Sequence, residues 1–134
     1  MGLFENKRIC IVILMLLLMT SLTGCLSESI QIDQAEKVIL TYSYKSIAFN
    51  EELPQPEAEK VIEIINGKSI RSDNPSCGFS EDISITIGDT ILCVAQDGDG
   101  FLQVEEGKYI VITDEERAVL DELFGKYGGT FPCV

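Results

Sequence analysis

Residues 83–112 read ISITIGDTILCVAQDGDGFLQVEEGKYIVI, and the fold is decided here. Apolar runs rich in β-branched residues are broken by Gly88-Asp89, by Asp97-Gly98-Asp99-Gly100 and by Glu106-Gly107. That is the punctuation of consecutive hairpins. Residues opposite one another in a hairpin point to the same side of the sheet, so the turns can be tested against the hydrophobic pattern. A turn at Gly88-Asp89 sets Ile85 opposite Leu92 and Ile83 opposite Val94. A turn over Asp97 to Asp99 sets Val94 opposite Leu102 and Leu92 opposite Val104. A turn at Glu106-Gly107 sets Val104 opposite Tyr109 and Leu102 opposite Val111, with Glu105 facing Lys108 as a charge pair.

The three turns together predict a four-stranded antiparallel meander. Its common face holds Ile83, Ile85, Ile87, Leu92, Val94, Leu102, Val104, Tyr109 and Val111. The other face carries Ile91, Cys93, Ala95, Phe101, Ile110 and Ile112 beside Ser84, Thr86 and Gln103, too apolar to be simply wet. A helix or the tail of the same chain is expected to cover part of it; the functional alternative is a groove for a partner or an apolar ligand.

Working outward, Val38 to Tyr44 (VILTYSY) alternates as a strand with one apolar face, and the phase slips near Lys45 and Ser46 to Ile47 and Phe49. The slip predicts a bulge or a strand end. Pro54 and Pro56 then open a helical pattern, with Glu57 and Glu59 at its positive end and Ala58, Val61, Ile62 and Ile65 as its apolar stripe. Asn66-Gly67 closes it. Residues 69–80 read as a loop. Thr113 and Glu116 form a capping box for a last helix whose stripe is Val119, Leu120, Leu123, Phe124 and Tyr127, with Glu122 and Lys126 spaced to pair along it. The expected class is α+β: an N-terminal strand and a meander of about four strands, packed with two amphipathic helices.

At the N-terminus, Lys7 and Arg8 precede an uninterrupted apolar run, Ile9 to Leu18, shorter than the ~20 residues of a comfortable membrane span. Leu22-Thr23-Gly24-Cys25 follows. This arrangement resembles the signal sequence and lipobox of bacterial lipoproteins. The resemblance covers the first 25 residues. It implies that the Cys25 thiol is joined to a diacylglycerol, and that signal peptidase II cuts before it. The expected organisation is thus a signal peptide over residues 1–24, a lipidated anchor and short tether over 25–36, and a single domain over 37–134. The thiolate is the nucleophile that takes up the lipid. Each buried methylene of the acyl chains adds ~0.8 kcal/mol, and two chains make anchoring stable where one is reversible. The expected location is the outer, extracytoplasmic face of a membrane.

The whole chain carries 10 basic and 22 acidic residues, and removing Glu5, Lys7 and Arg8 with the leader leaves a balance of −13. Such a surface repels phosphate backbones, so nucleic acid is not an expected partner. With Cys25 consumed by lipid, Cys77, Cys93 and Cys133 remain for an oxidising compartment, which predicts one bridge and one free thiol. Cys77 and Cys133 lie in irregular segments and are the favoured pair, worth roughly 3 to 4 kcal/mol in the loop-entropy picture. Cys93 with either partner stays open.

The chain has no histidine. Cys-His and Ser-His-Asp catalysis and His-containing zinc sites are therefore closed. The Asp97 to Gly100 turn can be laid on a calcium loop, with Asp97, Asp99 and Glu106 as ligands and Gly100 as the bend. Ala95 would then stand where the loop needs its first carboxylate, and strands flank the turn where helices belong, so hairpin chemistry is the plainer explanation. Carboxylates abound without any two being singled out for acid and base roles. The functional expectation is a non-enzymatic, surface-tethered binding or accessory module for an envelope or extracellular protein or peptide. The alternatives are a small hydrolase using acidic residues and a calcium-dependent structural protein.

Overall fold

The structure is a computed structural model, and it describes residues 7, 9–13, 28–72, 78–96 and 100–131. Six strands and two long helices follow one another as β1 (Val38–Tyr44), β2 (Ile47–Glu52), α1 (Gln55–Ile65), β3 (Phe79–Ile87), β4 (Thr90–Ala95), β5 (Phe101–Glu105), β6 (Lys108–Val111) and α2 (Asp114–Gly125). Residues 9–13 are also helical. The strands make a single antiparallel sheet in the order β2-β1-β3-β4-β5-β6. The fold is α+β, with a meander at its centre, as the turn pattern predicts.

One face of the sheet is the core. Val38 and Leu40 of β1, Ile85 and Ile87 of β3, Leu92 of β4, Leu102 of β5 and Ile110 of β6 are buried there in one cluster with both helices. Helix α1 contributes Ala58, Val61, Ile62 and Ile65, its stripe at one-turn spacing. Pro54 caps it and Pro56 sits in its first turn, where a missing N–H costs nothing. Helix α2 buries Leu120, Leu123 and Phe124, and its capping box is formed: Glu116 N–H donates to Thr113 Oγ1 at 3.2 Å and Thr113 N–H to Glu116 Oε1 at 2.8 Å. Tyr42, Phe49, Phe124 and Phe131 continue the core as ring-on-ring contacts with centroids 5.2 to 6.2 Å apart.

Three local details depart from the sequence reading. The phase slip after Tyr44 is the strand end, the second of the two expected readings, but the hairpin turn at Lys45-Ser46 that follows it adds β2 as an unforeseen second N-terminal strand. Lys45 takes a positive φ of 54° there. Between Ser80 and Ser84 the β3–β4 register shifts, so Ser80 and not Ile83 pairs with Val94, while Ile85 faces Leu92 as expected. Between Gln103 and Glu105 the β5–β6 register shifts by one residue. Glu105 still faces Lys108, and their ion pair closes at 2.8 Å, but beyond it Gln103 faces Tyr109, Leu102 faces Ile110 and Phe101 faces Val111. The slip turns every side chain of β6 over. Ile110 and Ile112 therefore belong to the core, and Tyr109 and Val111 to the other face.

The N-terminal polar stretch lies along the domain. Ile30 is in the core cluster, its N–H donates to the Lys68 carbonyl, and Ile70 N–H donates to the Glu28 carbonyl. Ser29 pairs with Ser69, and Arg71 pairs through both backbone groups with Tyr109. Residues 69–71, read as loop, thus cap the outer edge of β6 at that point. The Lys126 ammonium goes to Glu57 across the two helices, not to Glu122 one turn away.

Candidate functional site

A cleft of about 410 Å³ opens at the end of the sheet, between the ends of β1 and β4 where β3 departs from its partner. Ser43, Tyr44, Ser80, Asp82, Ile83, Val94, Ala95 and Gln96 line it. The opening follows from the register shift. Glu81, Asp82 and Ile83 are extra on β3 relative to β4, and the chain must loop outward to hold them. Local hydrogen bonds fix that loop: Asp82 N–H donates to Ser80 Oγ at 3.1 Å and Ser84 Oγ–H to the Glu81 carbonyl at 3.2 Å. On the other wall Gln96 N–H donates to the Gly78 carbonyl. Among the described residues of the lining, Asp82 is the single charged side chain, beside hydroxyl, amide, phenol and aliphatic groups.

A second hollow of about 470 Å³ lies between the helices, with Ile64 and Val119 among Lys60, Glu63, Glu116 and Glu122. Glu116 is not free to react there. Its burial alone would raise the carboxyl, but the Lys68 ammonium at 2.5 Å and the Thr113 N–H outweigh that and hold it below the ordinary range. Glu57, nearby on α1, accepts from Lys126 through Oε1, while its Oε2 is buried without a hydrogen-bond partner among the described residues.

The second face of the sheet is half covered, and neither helix does it. Phe79 of β3 and Tyr109 of β6 stack with centroids 5.1 Å apart. Their strands are separated by β4 and β5, so the rings must meet above those strands. Cys93, Ala95 and Tyr109 of this face are buried, whereas Ile91 is 48% exposed. Cys93 is a free thiol, pushed up first by burial and then by the negative charge of Glu81. It suits packing better than nucleophilic attack.

Of the residues singled out by sequence, Cys25, Cys77, Cys133, Asp97 and Asp99 lie outside the described residues. Glu106 is exposed in the β5–β6 turn. Among the described residues no group of three or more cysteine or carboxylate side chains is placed to hold a metal ion. The sheet-end cleft was not foreseen. Its one sequence signal is Glu81-Asp82, a pair of charges inside an otherwise strand-like run. No protein family, curated protein or solved structure matched this chain.

Proposed function

We propose that this chain is a lipid-anchored protein of the outer, extracytoplasmic membrane face whose domain serves as a binding or accessory module for an envelope or extracellular protein or peptide. The observation that carries the reading is Leu22-Thr23-Gly24-Cys25 behind a basic start and an apolar run. Lipid on Cys25 and a cut before it would leave a tether of two residues, Leu26 and Ser27, before the chain joins the domain at Glu28. At roughly 3.5 Å per residue so short a tether keeps the domain against the bilayer.

Two features favour binding over catalysis. Among the described residues the sheet-end cleft offers one carboxylate, Asp82, with hydroxyl and amide groups, a set suited to hydrogen bonding. The charge balance of −13 on the mature part repels phosphate-rich partners and attracts cationic ones. Expression of the wild-type chain and Cys25→Ser in a bacterial host, followed by membrane fractionation, tests the anchor. The wild type is expected in the detergent-soluble membrane fraction and the variant, no longer lipidated, in a different one or uncleaved. Identical fractionation and processing of the two chains would overturn the reading.

A further inference from the structure

We infer that the sheet-end cleft is a site for an alkylammonium group, an aliphatic stem that ends in a primary ammonium, an inference that deepens the binding reading proposed above and rests on it. The cleft has a floor and a rim of different chemistry. Ile83, Val94 and Ala95 are buried and form its floor, whereas Ser43, Tyr44 and Asp82 are exposed at its rim. Its volume of about 410 Å³ lies toward the lower end of the roughly 300 to 1,000 Å³ of small-molecule sites. That suits one side chain or one small ligand.

Charge selects the sign of the ligand. Between Arg71 and Lys108 the sequence holds five aspartates and three glutamates and no basic residue, and that stretch supplies β3 and β4, two of the three strands around the cleft. Asp82 takes part in no ion pair among the described residues. An anionic ligand is repelled from such a site and a cation is drawn to it. Tyr44, from β1, adds a ring that already receives an ammonium: Lys45 Nζ stands 5.3 Å from its centroid.

The floor selects the kind of cation. A calcium or magnesium ion takes about six or more oxygen ligands, and the side chains of Ile83, Val94 and Ala95 supply none. A lysine-like stem satisfies both halves of the cleft. Its methylenes cover the aliphatic floor, and its head meets the Asp82 carboxylate at the rim in a charge-assisted hydrogen bond, with the Ser43 hydroxyl as a further acceptor. A lysine side chain of a protein or peptide and a free alkylamine share this chemistry.

The test uses the full-length chain in neutral detergent micelles, with backbone amides followed by NMR. The probe is Nα-acetyl-lysine methylamide. Its norleucine analogue keeps the stem without the charge, and its diaminopropionyl analogue keeps the charge on a shortened stem. The lysine probe is expected to give saturable shifts at Ile83, Val94 and Ala95, and each analogue to bind at least tenfold more weakly, since a buried methylene is worth about fourfold in affinity. Asp82→Asn keeps the shape of the side chain and the backbone donation to Ser80, and is expected to weaken the lysine probe at least tenfold. Glu106→Gln, which removes an exposed charge in the β5–β6 turn, is expected to change it less than about twofold. Equal binding of the norleucine analogue, unchanged binding by Asp82→Asn with an intact spectrum, an equal loss from Glu106→Gln, shifts centred on the helix hollow, or no saturable shift would each overturn the proposal. Free n-pentylammonium separates the two sources: binding as tight as the lysine probe assigns a free amine, and binding at least tenfold weaker assigns a lysine side chain, and either upholds the site. Micelles make the result independent of the native anchor. Probe binding with an unmodified Cys25 leaves the cleft assignment standing and removes only the membrane setting, whereas a lipidated Cys25 without probe binding does the reverse.

Discussion

Leu102 and Ile110 face each other across β5 and β6, both fully buried, because Val104 is taken up in a one-residue register shift. Without the shift Val111 would face Leu102, and Ile110 would lie on the other side of the sheet. Truncation tests the register directly. Ile110→Ala is expected to cost about 2 to 5 kcal/mol in urea unfolding, the usual range for a buried aliphatic cut to a methyl group. Val111→Ala, at a half-buried position, is expected to cost under about 1 kcal/mol. The opposite order would restore the uninterrupted pairing.

Gly129 is packed where a side chain does not fit. A Cβ there would lie 3.0 Å from both Tyr42 Cδ2 and Phe49 Cε1, in the stacked aromatic pair that joins β1 to β2. Gly129→Ala is expected to lower stability by roughly 1 to 3 kcal/mol. Gly125, the last residue of α2, has nothing within 4 Å of its Cβ direction, and Gly125→Ala is expected to raise stability by about 0.5 to 1 kcal/mol through the ordinary helix preference. Thermal unfolding of the two variants side by side checks the contrast; equal shifts would contradict it.

The Lys68–Glu116 pair predicts an acid dependence. The folded carboxyl sits below its ordinary value of 4.5, so the unfolded chain takes up a proton first as the solution is acidified. The contribution of this group is complete above 4.5 and is lost as pH falls through the lower folded value. Lys68→Met removes the ammonium, and its stability relative to wild type is expected to be lower at neutral pH and to converge with wild type in acid. A difference that grows on acidification would contradict the assignment.

The sequence was most informative where side-chain period and turn chemistry agreed. Gly88-Asp89 and Glu106-Gly107 supply the residues that tight turns demand, Thr113 and Glu116 the capping box, and Ala58 to Ile65 the helical stripe, and each of these elements stands where it was expected. Lys45-Ser46 gave no such signal, since positive φ is usually reserved for Gly, Asn or Asp, and β2 was missed with it. The two register shifts escaped for a different reason: Val104 and Ile83 are apolar and fit an unbroken alternation as well as they fit a bulge. The sheet-end cleft is a product of one of those shifts, so it could not be read before the shift was seen.

Cys93 should be chemically silent in the folded chain. It is 8% exposed, and burial pushes its thiol up, which lowers the thiolate fraction that alkylating agents need. Iodoacetamide labelling followed by peptide mass spectrometry is expected to leave Cys93 unmodified under native conditions at neutral pH and to modify it in urea. Rapid native labelling, or recovery of Cys93 in a disulfide, would contradict its burial as a free thiol in the sheet.

The group proposed to hold the domain at the membrane is carried by one sulfur, that of Cys25. Intact-mass and N-terminal peptide analysis of the chain recovered from membranes of a native or bacterial host is predicted to show Cys25 as the first residue, carrying a diacylglycerol thioether. A chain that still begins at Met1, or a free thiol at Cys25, would contradict the anchor and with it the setting in which the domain is proposed to bind.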